Sequence, residues 1–130
     1  MIEDLTLLSV AVLDNFGHDD IFRGRLVAVG SEGIVDNRHP VIIVFDTALR
    51  VQAKFVSHEN GYFMDVNVGP DDVFCCCGGM FTKPECISKE NPKGAIRKGL
   101  VKKFSFSTDD NSIERIATAH YHPEANEIRG

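Results

Sequence analysis

The stretch from Leu49 to Val68, LRVQAKFVSHENGYFMDVNV, carries the strongest structural signal in the chain. In its first half Leu49, Val51, Ala53 and Phe55 alternate with Arg50, Gln52 and Lys54. In its second half Tyr62, Met64, Val66 and Val68 alternate against Asp65 and Asn67. A period of two marks strands with one face turned to a core. Between the halves lies Asn60-Gly61, a pair favoured in two-residue hairpin turns because both positions take positive φ. Together these predict an antiparallel hairpin with Glu59 opposite Tyr62, Ser57 opposite Met64, Phe55 opposite Val66 and Ala53 opposite Val68. That register gathers one apolar face, and a slip of one residue would destroy it. On the other face His58 pairs with Phe63, Val56 with Asp65 and Lys54 with Asn67. His58 and Phe63 are therefore the candidate anchor for a protein partner, since an aromatic side chain on a polar face is suited to docking. The competing reading packs Phe63 beneath the segment that follows residue 80.

Working outward, Val41-Ile42-Ile43-Val44-Phe45 reads as a buried, β-branched strand entered at Pro40. Ile21–Val29 is a further strand, and Asp46-Thr47 a tight link to Leu49. Leu5–Leu13 is a strand or a short helix, with Val10 and Val12 favouring a strand. Val73–Cys77 is a short strand stopped by Gly78-Gly79. Residues 80–99, with Pro84, Pro92, Gly94 and Gly99, read as a long loop. In Leu100–Ser107, Phe104 and Phe106 alternate with Lys103, Ser105 and Ser107, a strand whose open edge could add a second copy of the chain. Ser112–His120 is predicted as a helix, capped by Asp110 or Asn111, with Ile113, Ile116 and Ala117 on one face. The fold expected is mainly β: a small antiparallel barrel or strongly bent sheet of SH3-like kind, with one short C-terminal helix. A single domain covers residues 1–122, and a polar, loose tail covers 123–130.

Three segments, Arg23-Gly24-Arg25-Leu26-Val27, His39-Pro40-Val41-Ile42-Ile43-Val44-Phe45-Asp46 and Gly61-Tyr62-Phe63, resemble small SH3-like barrel proteins of bacteriophage and prophage genomes. The resemblance spans residues 22–68, about half the chain, and departs at His39, where those proteins carry an aromatic residue. It implies a binding module and transfers no catalytic residue.

Length and composition narrow the function. A chain of 130 residues makes one domain able to bury a core without a disulfide or a metal. Its longest apolar run has five residues, far short of the ~20 of a membrane-spanning helix, and no basic leader precedes one. No membrane association is therefore expected. Cys75, Cys76 and Cys77 are consecutive, which suits a reducing compartment better than a disulfide framework. The cytoplasm is the expected location, that of the host cell if a phage encodes the chain.

Formal net charge is −5, unevenly spread. Residues 91–108 hold no acid but five bases, Lys93, Arg97, Lys98, Lys102 and Lys103, so the remainder carries −10. Those bases are either a solvated strand edge or a nucleic-acid contact. For metal, Cys75 or Cys77, Cys86, His120 and His122 are the candidate zinc ligands, although no C-x₂-C is present and alternation splits Cys76 from its neighbours. The plainer reading makes the cysteines small buried apolar residues. No nucleophile, metalloprotease or phosphate-loop signature occurs. The paired acids Asp19-Asp20, Asp71-Asp72 and Asp109-Asp110 sit beside turn residues and need no acid–base role. The sequence thus points to a non-enzymatic protein-interaction module without a cofactor, a phage or mobile-element protein that binds and modulates a host protein. A nucleic-acid-binding barrel and a zinc-stabilised module or enzyme are the alternatives.

Overall fold

The computed structural model describes residues 4–13, 24–34, 37–81, 97–122 and 127–129. Nine strands follow in order: β1 (Asp4–Leu13), β2 (Arg25–Ile34), β3 (Asn37–Phe45), β4 (Val51–Val56), β5 (Gly61–Val68), β6 (Val73–Phe81), β7 (Arg97–Ser107), β8 (Ser112–His122) and β9 (Glu127–Arg129). Apart from a single 3₁₀ turn at Pro70–Asp72, the described residues contain no helix. The strands form two antiparallel meanders, β1-β2-β3-β4 and β5-β6-β7-β8-β9. They face each other, and among the described residues no ladder joins one sheet to the other, so the barrel is not closed.

The hairpin expected at Asn60-Gly61 does not form. β4 pairs with β3, Val56 lying opposite Val41, while β5 pairs with β6, Gly61 lying opposite Met80. Asn60-Gly61 is instead the step from one sheet to the other. A Cβ at Gly61 would strike the Gly79 carbonyl oxygen, so glycine is required there for close approach rather than for a hairpin turn. The alternating pattern is satisfied equally well by two facing sheets. Val66 is buried and Phe55 packs against the core, as the pattern demands, but they do so from opposite layers.

Within β5 the ladder slips between Phe63 and Asp65, which leaves Met64 as a bulge residue. The bulge reverses the phase. Phe63 turns inward and is fully buried, whereas Met64 is 56% exposed. A Cβ at Gly78, opposite Phe63, would meet the Tyr62 carbonyl oxygen, so β6 runs through both of its glycines rather than stopping at them.

The region predicted as a helix is β8, paired with β7 from Ser112–Ser107 to Tyr121–Gly99. The residues read as a helix cap build the β7–β8 turn: Asn111 has φ 52° and Asp110 accepts a hydrogen bond from the Ser112 hydroxyl at 2.7 Å. Caps and turns use the same short polar side chains. β7 needs ladder partners on both sides, so it is interior, and the open edge expected at Leu100–Ser107 is occupied by β8. The tail also returns to the sheet, with Ile128 opposite Tyr121.

The core lies between the sheets. Leu13, Val27, Val29, Ile42 and Val44 come from the first, and Phe63, Val66, Phe74, Cys76, Leu100, Phe104 and Phe106 from the second. β5 lies against β1, β2 and β3 together, which means that it crosses that sheet rather than following one strand. Phe104 is the hub: its ring centroid is 5.0 Å from that of Phe55 across the sandwich, 5.7 Å from Phe74 and 6.3 Å from Phe63. Phe104→Ala is expected to lose about 3–5 kcal/mol of unfolding free energy in urea titrations. A loss below about 1 kcal/mol would contradict this packing.

Candidate functional site

Eleven large hydrophobic side chains are exposed among the described residues, and eight of them lie on or beside the outer face of the first sheet. They are Leu5, Leu7, Leu8, Val10, Val12, Leu49, Val51 and Val56, each 42–67% exposed. Alternation explains the face. Val27 and Val29 point to the core, so Leu26 and Ala28 point away, and through the register they align with Val12 and Val10 of β1 and with Phe45 and Ile43 of β3. Ladder slips at Leu8 and beside Phe45 leave this arrangement intact. Leu7, Leu8, Val10, Leu26, Ala28, Phe45 and Leu49, with Ser9, enclose a groove of about 340 Å³ that opens to solvent. Over part of β3 the face is covered. Lys54 reaches across β3 to an ion pair with Glu32, and Val41 and Ile43 lie buried there.

Leu49 stands on the groove rim in a left-handed conformation, φ 63°. A bulky residue in that region is a strained outlier. The Asp46 carboxylate holds it there. One oxygen accepts the backbone N–H groups of Ala48 and Arg50, both at 2.9 Å, and the other accepts Arg50 Nε at 2.9 Å and Gln52 Nε2 at 3.2 Å. The backbone hydrogen bond from Arg50, with help from that of Ala48 and from the Arg50 guanidinium, keeps the Asp46 carboxyl below the ordinary aspartate range. The loop is thus a rigid mount for one exposed leucine.

A second cluster sits where the chain changes sheets. Lys102 Nζ donates to Glu59 Oε1 and to Ser57 Oγ, each at 2.7 Å, and Ser57 Oγ donates to Glu59 Oε2 at 2.6 Å. All three residues are buried, Lys102 to 1% exposure. His39 Nδ1 lies 2.9 Å from the Glu59 carbonyl oxygen, and Ser57 N–H donates to the Pro40 carbonyl at 2.8 Å. Burial pushes the Glu59 carboxyl up, but hydrogen bonds from Lys102 and Ser57 and the Lys102 charge outweigh it and hold the group below its usual value of 4.5.

The residues singled out from sequence are scattered. Phe63 is in the core, so it forms no surface anchor with His58, whose exposed ring lies 3.2 Å from Glu59 Oε1 instead. Lys102 faces inward and is withdrawn from the basic segment, while Lys103 is exposed and Lys98 half-buried. Lys93 and the side chain of Arg97 lie outside the described residues, as does Cys86. Cys75 and Cys77 share the outer face of β6 and Cys76 points inward, as alternation requires. Burial raises the Cys76 thiol well above its usual range, and burial with the nearby Asp65 charge raises that of Cys77. Among the described residues no cluster of His, Cys, Asp or Glu could hold a metal ion, and the side chains of His120 and His122 fall outside that description. Sequence reasoning missed the Lys102 clasp, although the alternation that turns Leu100, Phe104 and Phe106 inward does the same to Lys102. It also missed the outer face, because the pattern of β1 was read only for its secondary structure.

No known protein family, curated protein or solved structure matches the chain. No helix among the described residues is long and apolar enough to cross a membrane.

Lys102→Met leaves the Glu59 carboxylate buried without its cation, and such single removals cost about 3–5 kcal/mol. The Lys102→Met/Glu59→Met double variant is expected to lose less than Lys102→Met alone in denaturant titrations. Because Glu59 titrates lower in the folded chain than in the unfolded one, its contribution is full above about pH 5 and is lost as pH falls through 4.5 and below. Glu59→Gln should flatten the acid limb of the stability–pH curve, and an unchanged limb would refute the assignment.

Proposed function

We propose that the chain is a non-enzymatic protein-interaction module that docks a partner through the outer face of its first sheet. The observation that carries this reading is the concentration of exposed apolar side chains: of the eleven among the described residues, eight lie on or beside one face, and four of these line a groove. Soluble domains seldom leave a contiguous apolar patch of more than a few hundred Å² without a use for it. The strained Leu49 mount supports the same reading, since local strain persists where surrounding contacts impose it and concentrates at functional positions. The non-enzymatic part rests on two points. Burial raises the thiols of Cys76 and Cys77 above their usual range, and the Ser57–Lys102 pair is buried and tied to Glu59. The resemblance of residues 22–68 to phage barrels supports a binding module and leaves the occupant of the face open.

The test is affinity purification of the full chain from lysate beside two variants. Val10→Asp/Val51→Asp places carboxylates on the face and is expected to reduce recovered partner at least tenfold. Leu49→Gly relieves the backbone strain, so thermal stability should hold or rise while recovery falls. Partner recovery equal in all three would refute docking by this face, and recovery of nucleic acid in place of protein would favour the basic segment.

A further inference from the structure

We infer that the outer face of the first sheet takes a second copy of the same chain, packed sheet on sheet about a two-fold axis. This rests on the docking reading above and names the occupant.

Shape is the first argument. A two-fold contact requires one surface to be complementary to itself, so that a ridge and the groove that receives it lie side by side on the same face. Here Leu8 and Val10 of edge strand β1 rise 52% and 62% exposed beside the groove floored by Leu26 and Ala28, and Leu49 rises 67% exposed on the opposite rim. Turning a second copy over places its β1 ridge in the first groove and the first ridge in its own. Sheets packed this way sit about 10 Å apart with interdigitated side chains.

Charge is the second argument. Each chain carries a formal −5, so two copies repel over most of their surfaces. Among the described residues beside this face, Glu32 is paired with Lys54 and Asp46 with Arg50, while Asp65 accepts a hydrogen bond from Ser9 at the β1 edge. An equally apolar and charge-balanced face is what fits, and the chain itself carries one.

Area is the third. Eight Leu and Val side chains, each about half exposed, with the groove floor between them, span a surface comparable to the ~800 Å² that each partner contributes to a standard interface.

The test is sedimentation velocity on the full-length chain. A dimer is expected with a dissociation constant of ~10 µM or tighter. Because the contact is apolar and the copies repel elsewhere, raising salt from about 50 to 500 mM should tighten it, the reverse of an association held by opposite charges. Val10→Asp/Val51→Asp should weaken the dimer at least a hundredfold. Met64→Asp/Ile116→Asp, which alters exposed apolar residues of the second sheet, should leave it intact. If the first variant does not fold, as judged by circular dichroism and melting, Leu8→Lys serves in its place. A wild-type chain that stays monomeric at ~100 µM, or a dimer that survives these face substitutions, overturns the inference. A monomer that still captures a different protein through this face overturns self-association alone. A dimer unaffected by the face substitutions, together with partner recovery that is also unaffected, overturns the docking reading as well.

Discussion

The Glu59 carboxylate is reached by Lys102 from the opposite sheet and by Ser57 from its own segment, and this contact sets where the chain passes from one layer to the other. An apolar core alone tolerates sliding, because dispersion and water release have little directional character. A buried ion pair does not. Its net contribution to stability is small, but displacement of either partner leaves a charge stranded away from water. Ser57 and Glu59 can meet Lys102 only if β4 ends where it does and β5 begins at Gly61. The Pro40 carbonyl, which accepts the Ser57 N–H, fastens the same crossing to β3. Pro40 costs no ladder bond there, since its nitrogen points to the side on which β4 has already ended.

From that crossing the two faces of the first sheet acquire different fates. The inner face meets the phenylalanines of the second sheet and is sealed around Phe104. Among the described residues, the outer face has only its own side chains for cover. Over β3 the Lys54–Glu32 pair shields Val41 and Ile43. Over β1 the leucines and valines remain in contact with water, and the Asp46 loop adds Leu49 to them in a strained conformation. The fold can be stable while this surface is exposed, because the core is complete without it. Its apolar character is therefore not required by the packing of the core.

Much of the strand content was legible from alternation. β1 to β7 all coincide in type with segments read as strands from the chain, and Phe104 and Phe106 face inward as their spacing requires. β8 was misread because Ile113, Ile116 and Ala117 also satisfy a helical spacing over so short a segment, and because the Asp110-Asn111 pair serves caps and turns alike. The candidate anchor at Phe63 failed for one local reason, the bulge at Met64, which reverses the side-chain phase within a single strand. Neither site cluster was found. Lys102 was counted as a surface charge despite its inward phase, and the β1 residues were not tested for a face left uncovered.

The sequence by itself determined that this chain makes β-strands with one strongly apolar side, since a period of two is a property of the backbone and needs no partner to be read. Only the tertiary structure decided which strands pair. A ladder depends on backbone groups that are the same at every residue, so the pattern LRVQAKFV followed by GYFMDVNV fits a hairpin and a crossing between layers equally well. The choice was made by contacts distant in the chain: Lys102 with Glu59, Gly61 and Gly78 against neighbouring backbones, and Phe55 against Phe104.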